Sequence, residues 1–490
     1  MDSASEIPRH LRLPGDEGYR TPTIEDTENS VNQWPYLSDD FAQLQQIQSI
    51  GEIHANTLDA INRLAYRTKS RDADGGAPAV KLRTRSSQGS SEVKTESEIP
   101  DKLSIKQRVR HLTWAFFTLT MATGGIANVL YSIPPQYRFR GLDTIGVVVF
   151  LVNIVFYIVI WGLILARFIC FPYTFKASFL HPTESLFVPA TVVSFGTILI
   201  NISQYGLGRT GPWLVDAVRV LFWLDATLAI ILSAGIYLLL WSTQTFTIAQ
   251  MTPIWIFPAY PMLIIGTHAG VLSSHLDPRQ SLYIIMGGFT IQGIGFLVSL
   301  MVYSAFIYRL MTQKLPRENI RPGMFVSVGP SAFTVTAIIN MAVNAPRAFP
   351  SDFMGDGALA AMVVKVVANF SSLWLWGLAV FFFIIATVAN LYGAFPGRMI
   401  FSMSWFSFVF PNTALITATF AIGNAFSCKP ILILGLAMTL LLIPTYLFVC
   451  YMMIRAIKMR HILWPQKGED KDEGGFCAAQ VQQNADTGRA

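Results

Sequence analysis

Hydroxyl and amide side chains recur inside spans of this 490-residue chain that are otherwise apolar. In the clearest case, Arg398 to Gly423, Asn412, Thr413 and Thr417 sit among hydrophobic residues. Such groups are costly in hydrocarbon unless they meet protein or a water-filled cavity, and they can donate the hydrogen bonds that a desolvated anion needs. The pattern predicts a polar conduit within a membrane, to which we assign Thr123, Gly124, Ser194, Thr267, His268, Ser331, Thr334, Asn340, Arg398, Asn412 and Thr413.

Two phenylalanines of the same stretch are candidates to close this conduit. Phe406 and Phe410 lie four residues apart, one turn of a helix, so they are predicted to project from the same face. Pro411 in mid-span breaks the backbone hydrogen-bond ladder, which is tolerated where protein or a water-filled cavity covers the freed carbonyls. The alternative is that both rings only pack against neighbouring helices or lipid.

Ionisable residues are rare inside the spans. Arg398 stands at the start of the ninth span, where it either attracts anions or anchors the helix end in the cytosol. His268 and Asp225 lie at similar depth in two neighbouring spans, and a structural tie between them is the first expectation. A His268 that faces the conduit would instead bind a carboxylate or carry a proton.

The motifs of catalysis are missing from the sequence. It contains no phosphate-binding loop, no nucleophile elbow and no Cys/His pattern with zinc spacing. We therefore expect no enzyme activity, no metal and no cofactor.

Composition places the chain among integral membrane proteins. Hydrophobic residues make up 52% of it and charged residues 13%, whereas soluble domains carry about 25% charged residues. Basic residues lie at the ends of apolar spans and do not form one patch, which argues against nucleic-acid binding and for a lipid bilayer as the partner.

Ten apolar spans and their prolines predict the architecture. Interior prolines fall in odd-numbered spans, whereas the even spans up to the eighth have none and the tenth has Pro444. This alternation predicts an all-α membrane protein of ten helices as five hairpins, with broken odd helices around a central pore and even helices facing lipid. The predicted spans are 112–132, 143–166, 185–203, 217–241, 253–275, 281–308, 323–345, 363–392, 399–422 and 430–457.

Charge at the span ends predicts the topology. An even number of spans puts both termini on one side, and Lys and Arg before the first span, between the sixth and seventh, and after the tenth put that side in the cytosol. Residues 1–107 are polar and of low complexity, which predicts a disordered cytosolic tail. Residues 108–460 form the predicted ten-helix domain, and 461–490 a short cytosolic tail.

Four segments carry a resemblance to a known family. They are RHLTWAFFTLTMATGGIANVLY (Arg110 to Tyr131), HPTESLFVP (His181 to Pro189), GPSAFTVTAIIN (Gly329 to Asn340) and FPGRMIFSMSWFSFVFPNTALITATFAIG (Phe395 to Gly423). Over about residues 108–460 the chain resembles the fungal malic acid transport proteins. These belong to the tellurite-resistance and dicarboxylate transporter family, which also includes plant slow-type anion channels and fungal sulfite efflux pumps.

The resemblance implies a function and a gate. It implies transport of malate and related four-carbon dicarboxylate anions across the plasma membrane, with proton coupling left open. It also implies a pore plugged by a phenylalanine of the ninth helix, for which Phe410 is the best match and Phe406 the alternative. Relatives form trimers, which implies a homo-oligomer. The remaining alternatives are efflux of sulfite or another small anion, and an anion channel regulated through its N-terminal tail.

Overall fold

A computed structural model describes residues 104–243, 248, 251–394 and 399–464. All regular structure in this part of the chain is helical, as predicted. Most of the predicted tails, 1–107 and 461–490, lies outside the described residues. We number the long helices α1 Phe117–Ser132, α2 Leu142–Cys170, α3 Ala190–Tyr205, α4 Pro212–Thr243, α5 Tyr260–Leu272, α6 Pro278–Gln313, α7 Gly329–Ala348, α8 Gly357–Ala394, α9 Phe410–Ala425 and α10 Lys429–Lys458.

The helices follow the predicted spans closely. In the described residues, nine of them, taken with their flanking 3₁₀ turns, are long and apolar enough to cross a membrane. The helix α1 covers the first predicted span but does not meet this criterion. It nevertheless packs among the others, against α2, α3 and α9.

Burial divides the helices into two layers. We compare the buried fraction of the most apolar stretch of each span. This fraction is 83–89% in the odd spans from the third to the ninth and only 22–39% in the even spans. The odd helices contact one another in the order α1, α3, α5, α7 and α9, and α9 returns to α1. The even helices pack outside this inner ring, in the grooves between its members. The predicted arrangement of five hairpins is therefore confirmed.

Every inner helix is preceded by a short 3₁₀ turn, so each inner span changes helix type along its length. Pro261, Pro330 and Pro411 lie in the first turn of α5, α7 and α9. In that turn a backbone N–H has no partner within the α-helix, so its absence in proline removes no hydrogen bond of the helix. Pro411 thus begins a helix and does not interrupt one in mid-span, which corrects the prediction. The turns are Trp114–Phe116, Ser185–Phe187, Pro253–Ala259, Arg321–Val328 and Met403–Phe408.

A buried ion pair holds one end of the bundle together. Nη1 of Arg167, near the end of α2, lies 2.5 Å from Oε1 of Glu184, which precedes α3, and both side chains are buried. The same Nη1 donates to the carbonyl of Leu112 at 2.7 Å. At this end the Arg108 guanidinium also donates to the carbonyl of Ile457 at 3.1 Å. The segment before α1 therefore lies beside the end of α10.

Removing one partner of the buried pair should destabilise the protein. We expect Glu184→Leu to cost about 3–5 kcal/mol because it leaves the Arg167 charge buried without its partner, and the double variant Arg167→Met/Glu184→Leu to recover most of this loss. The check is the melting temperature of the detergent-solubilised protein. The control Asp143→Ala, which breaks the partly exposed pairs with Arg138 and Arg209, should cost less than about 1 kcal/mol. A double variant no more stable than Glu184→Leu would contradict this account.

Candidate functional site

Five buried aromatic rings form a row across the inner ring, which we call the aromatic collar: Phe187, Phe257, Tyr260, Phe333 and Phe410. Ring centroids lie 5.3 Å apart for Phe187 and Phe257 and 5.4 Å for Phe257 and Tyr260. Phe410 lies 6.0 Å from Tyr260 and 5.3 Å from Phe333. These spacings are typical of attractive aromatic pairs. The collar thus joins the starts of α5, α7 and α9.

Phe410 reaches the collar because α9 begins at this residue. The 3₁₀ turn ends at Phe408, and Val409, with φ −110° and ψ −64°, separates it from α9. Phe406 is buried within the 3₁₀ turn. The two phenylalanines are therefore not one α-helical turn apart on a common face, which corrects the prediction. The prediction assumed a continuous helix, whereas the chain changes helix type between the two rings.

The helical face that carries Phe410 continues inward along α9. Thr413 and Thr417 follow at intervals of three and four residues, so they share that face. The hydroxyl of Thr417 lies 3.3 Å from that of Thr336 on α7. A Cβ built on Gly125 of α1 would lie 2.6 Å from Thr413 Oγ1. This face of α9 is therefore turned toward other members of the inner ring.

The opposite face of α9 is turned toward the outer helices, since Thr419 accepts a hydrogen bond from Nε1 of Trp376 on α8 at 3.0 Å. Four predicted pathway residues also face the outer helices. These four are Thr123, with its hydroxyl 2.9 Å from that of Tyr446 on α10; Ser331, 3.5 Å from the Tyr303 hydroxyl of α6; Thr334, which accepts from Gln292 of α6 at 2.8 Å; and Asn412, in a cavity between α8 and α10.

Three other predicted residues lie at contacts between inner helices. The Ser194 hydroxyl of α3 is 2.6 Å from that of Thr120 on α1. The carbonyl of Gly124 on α1 accepts from the Asn201 amide of α3 at 3.1 Å. Asn340 of α7 packs against Gly270 of α5: a Cβ added to Gly270 would lie 2.7 Å from the Cβ of Asn340. The predicted site therefore divides into inner-ring contacts and outward-facing residues.

The predicted tie between His268 and Asp225 is wrong. Nε2 of His268 lies 3.1 Å from the Ser203 hydroxyl of α3, and the imidazole packs 5.3 Å from the Phe222 ring of α4. Neither carboxylate oxygen of Asp225 nor Nδ1 of His268 has a hydrogen-bond partner among the described residues. The two residues share a depth, but the rotation of their helices directs the imidazole to α3.

Two further predicted residues complete the placement. Thr267 is buried on α5, and its hydroxyl has no hydrogen-bond partner among the described residues. Arg398 lies outside the described residues. Its predicted part in attracting anions stays a prediction.

Sequence reasoning missed four of the five collar rings. Phe187 and Phe333 lie within the segments HPTESLFVP and GPSAFTVTAIIN, but the residue types around the four rings do not mark them as pathway residues. A signal was nevertheless present, because each lies within four residues of a proline at the start of an inner helix, as Phe410 does. An aromatic residue beside such a proline in several odd spans would have pointed to one aromatic layer.

The fold and the collar define a class of protein. An inner ring of broken helices, with rings meeting inside it and lipid-facing helices around it, is the architecture of a multi-pass membrane transport protein. Residues 111–454 match the family model described as voltage-dependent anion channel, SLAC1. The chain belongs to this family.

Curated relatives agree with that assignment. A malic acid transport protein of Schizosaccharomyces pombe is 32% identical over 367 residues, which cover 75% of this chain and 83% of the relative. A putative malic acid transport protein of the same organism is 30% identical over 374 residues, 76% and 85% of the two chains. A sulfite efflux pump of Arthroderma otae is 26% identical over 334 residues, 66% and 84%. Anion transport is what the family and these relatives have in common.

The collar's own anchoring can be tested through Tyr260, whose hydroxyl donates to the carbonyl of Val326 at 2.5 Å. We expect Tyr260→Phe to lower the free energy of unfolding by about 0.5–1.5 kcal/mol, because it removes one buried hydrogen bond and keeps the ring. The measurement is thermal unfolding in detergent. Tyr451→Phe, at an exposed tyrosine of α10, is the control and should leave stability unchanged. Equal stability of Tyr260→Phe and the wild type would show that the hydroxyl does not anchor the collar.

Proposed function

We propose that the protein transports malate and related four-carbon dicarboxylates across the plasma membrane. The path runs through the inner ring and is closed by Phe410. The observation that carries this proposal is the position of Phe410, which contacts rings of two other inner helices at once. In that position the phenyl group of Phe410 blocks the space enclosed by the inner helices. When the phenyl group rotates away, that space opens.

The substrate class rests on the relatives. The two that are named for malic acid transport are 32% and 30% identical to the chain, whereas the sulfite efflux pump is 26% identical. Sulfite or another small anion is therefore the second candidate substrate. Both candidates are anions, so the same conduit serves either.

The chemistry of the inner face suits an anion. A dianion that leaves water needs hydrogen-bond donors or positive potential, since an unpaired buried charge costs several kcal/mol. Hydroxyls of Thr336, Thr413 and Thr417 lie on the inner side of α7 and α9. Each donates to a carbonyl of its own helix in this structure and would turn to donate to an anion. Parallel inner helices also direct their positive N-terminal ends to the same level as the collar. Both features favour a negative substrate.

We further propose that both termini lie in the cytosol. The contact of Arg108 with Ile457 supports a common side for the two ends of the helical domain. Basic residues cluster at that end, including Arg455 and Lys458 in the last turn of α10. The positive-inside rule assigns such an end to the cytosol.

Removing the Phe410 ring should raise malate flux. Its two ring contacts each contribute about 0.5–1.5 kcal/mol, so Phe410→Ala should raise the open population, and flux with it, by about tenfold. The assay is flux of labelled malate in vesicles that contain the purified full-length protein, with and without a pH gradient. A flux that follows the pH gradient identifies proton coupling, and an unaffected flux identifies conduction.

The matched control is Phe420→Ala. Phe420 is equally buried on α9, but its ring meets Gly435 of α10 and none of the collar rings, so its loss should leave flux near the wild-type level. Phe406→Ala tests the alternative gate. If sulfite or chloride moves and malate does not, the substrate assignment fails while the gate survives. If Phe410→Ala and Phe420→Ala behave alike, the gate fails.

A further inference from the structure

A cavity of about 520 Å³ lies on the outward face of α9, between α8 and α10. Its volume is within the range of small-molecule sites, roughly 300–1,000 Å³. Side chains at its edge, including Leu441, Phe448 and Leu391, are exposed on the lipid-facing surface. The cavity is therefore accessible from the bilayer and separate from the inner ring.

Four side chains of the cavity wall carry a buried polar atom that has no hydrogen-bond partner among the described residues. These atoms are Nε1 of Trp405, Oδ1 of Asn390, Oδ1 of Asn412 and Oγ1 of Thr387. Trp405, Asn390 and Asn412 are each more than nine-tenths buried. A buried polar atom without a partner costs about 1–3 kcal/mol. Four such atoms in one cavity wall would gain partners from a ligand once a side-chain rotation turned them into the cavity.

The hydrogen-bonding pattern of these atoms restricts the ligand. The Asn412 amide nitrogen already donates to the Phe408 carbonyl, and that of Asn390 to the Ala386 carbonyl. The asparagine oxygens therefore need a donor, whereas the indole N–H of Trp405 needs an acceptor. A single hydroxyl accepts from the indole and donates its one proton to one of the two asparagine oxygens. An ester carbonyl only accepts, and a hydrocarbon chain does neither.

The rest of the wall restricts the ligand's body. None of the described residues that line the cavity carries a charge, so a charged headgroup finds no counter-ion there. The wall consists mainly of aromatic and large aliphatic side chains, among them Phe383, Met438 and Leu442. Such a wall suits an apolar body of limited flexibility, which loses little entropy on binding.

We propose that this cavity binds a neutral membrane amphiphile of the sterol class. Its hydroxyl lies among Asn390, Trp405 and Asn412, and its fused-ring body lies between α8 and α10. The site goes beyond the anion path, because it faces the bilayer on the other side of α9.

A second cavity provides the comparison. It has a volume of about 640 Å³ between α6, α7 and α8, and it is also apolar and bordered by exposed side chains. Of its described lining, Gln292 contributes one unpartnered buried oxygen, and no buried donor there lacks a partner. The Ser371 hydroxyl also borders this cavity, so it differs from the first cavity in lacking a buried donor beside a buried acceptor.

The test is photolabelling of the full-length protein in phosphatidylcholine vesicles with a diazirine sterol that keeps its 3-hydroxyl. We expect saturable labels on α8 and α10 near Thr387 and Leu441, mapped by mass spectrometry of peptides. An unlabelled sterol should compete, whereas its 3-deoxy analogue should not. Trp405→Phe, which keeps a ring but loses the donor, should weaken sterol affinity about fivefold, the effect of one hydrogen bond.

A matched pair of variants tests the location. Leu441→Trp fills the proposed site, and Leu297→Trp fills the second cavity; both leucines are exposed at the edge of their cavity. Labelling of α8 and α10 should be lost in Leu441→Trp and retained in Leu297→Trp. Thermal unfolding of each variant confirms that it is folded.

Three results would overturn the proposal. Equal competition by the 3-deoxy analogue means that the cavity takes any apolar molecule. Saturable labelling of the same peptides by a phospholipid acyl-chain probe, with no sterol labelling, assigns the cavity to an acyl chain. Cross-links between two copies of the chain across this face, without sterol labelling, make it a subunit interface.

Discussion

The structure depends on one constraint, that backbone N–H and C=O groups find no water partners in hydrocarbon. In each inner span the regular backbone hydrogen bonding is interrupted where a 3₁₀ turn is followed by an α-helix. Such a break is stable only when other helices cover it. The outer helices α2, α4, α6, α8 and α10 provide that cover and are themselves long, continuous and lipid-exposed. The two layers therefore follow from the broken helices.

The same breaks position the side chains of the aromatic collar. Because α5, α7 and α9 all begin at one level, the rings beside their starts meet as the collar. Helix starts also bring backbone dipoles to that level. The aromatic collar and the helix dipoles that would favour an anion in the proposed path thus arise from one feature of the backbone. The inward hydroxyls of α7 and α9 then extend a polar face from the collar along the inner ring.

Much of this fold was predictable from the sequence, because hydropathy and proline position are properties of single spans. The spans and the alternation of inner and outer helices are examples. The rotation of each helix was not predictable, since it depends on packing between helices. Thr334 and Asn412 face outward and His268 turns to Ser203 for this reason. The relation of Phe406 to Phe410 also failed, because the change of helix type falls between them. The cavity between α8 and α10, which we call the outer cavity, is lined by residues of α8, α9 and α10. The sequence of any one of these helices contains no pattern that predicts it.

The central claim is that the face of α9 carrying Phe410 lines an aqueous anion path and the opposite face does not. Cysteine accessibility tests it most directly, in a Phe410→Ala background with the four native cysteines replaced by serine. Single cysteines at Thr413 and Thr417 should react with a charged, water-soluble thiol reagent and lose anion flux. Cysteines at Asn412 and Ile416, which line the outer cavity, should not. Reaction at 412 and 416, with 413 and 417 protected, would contradict the account.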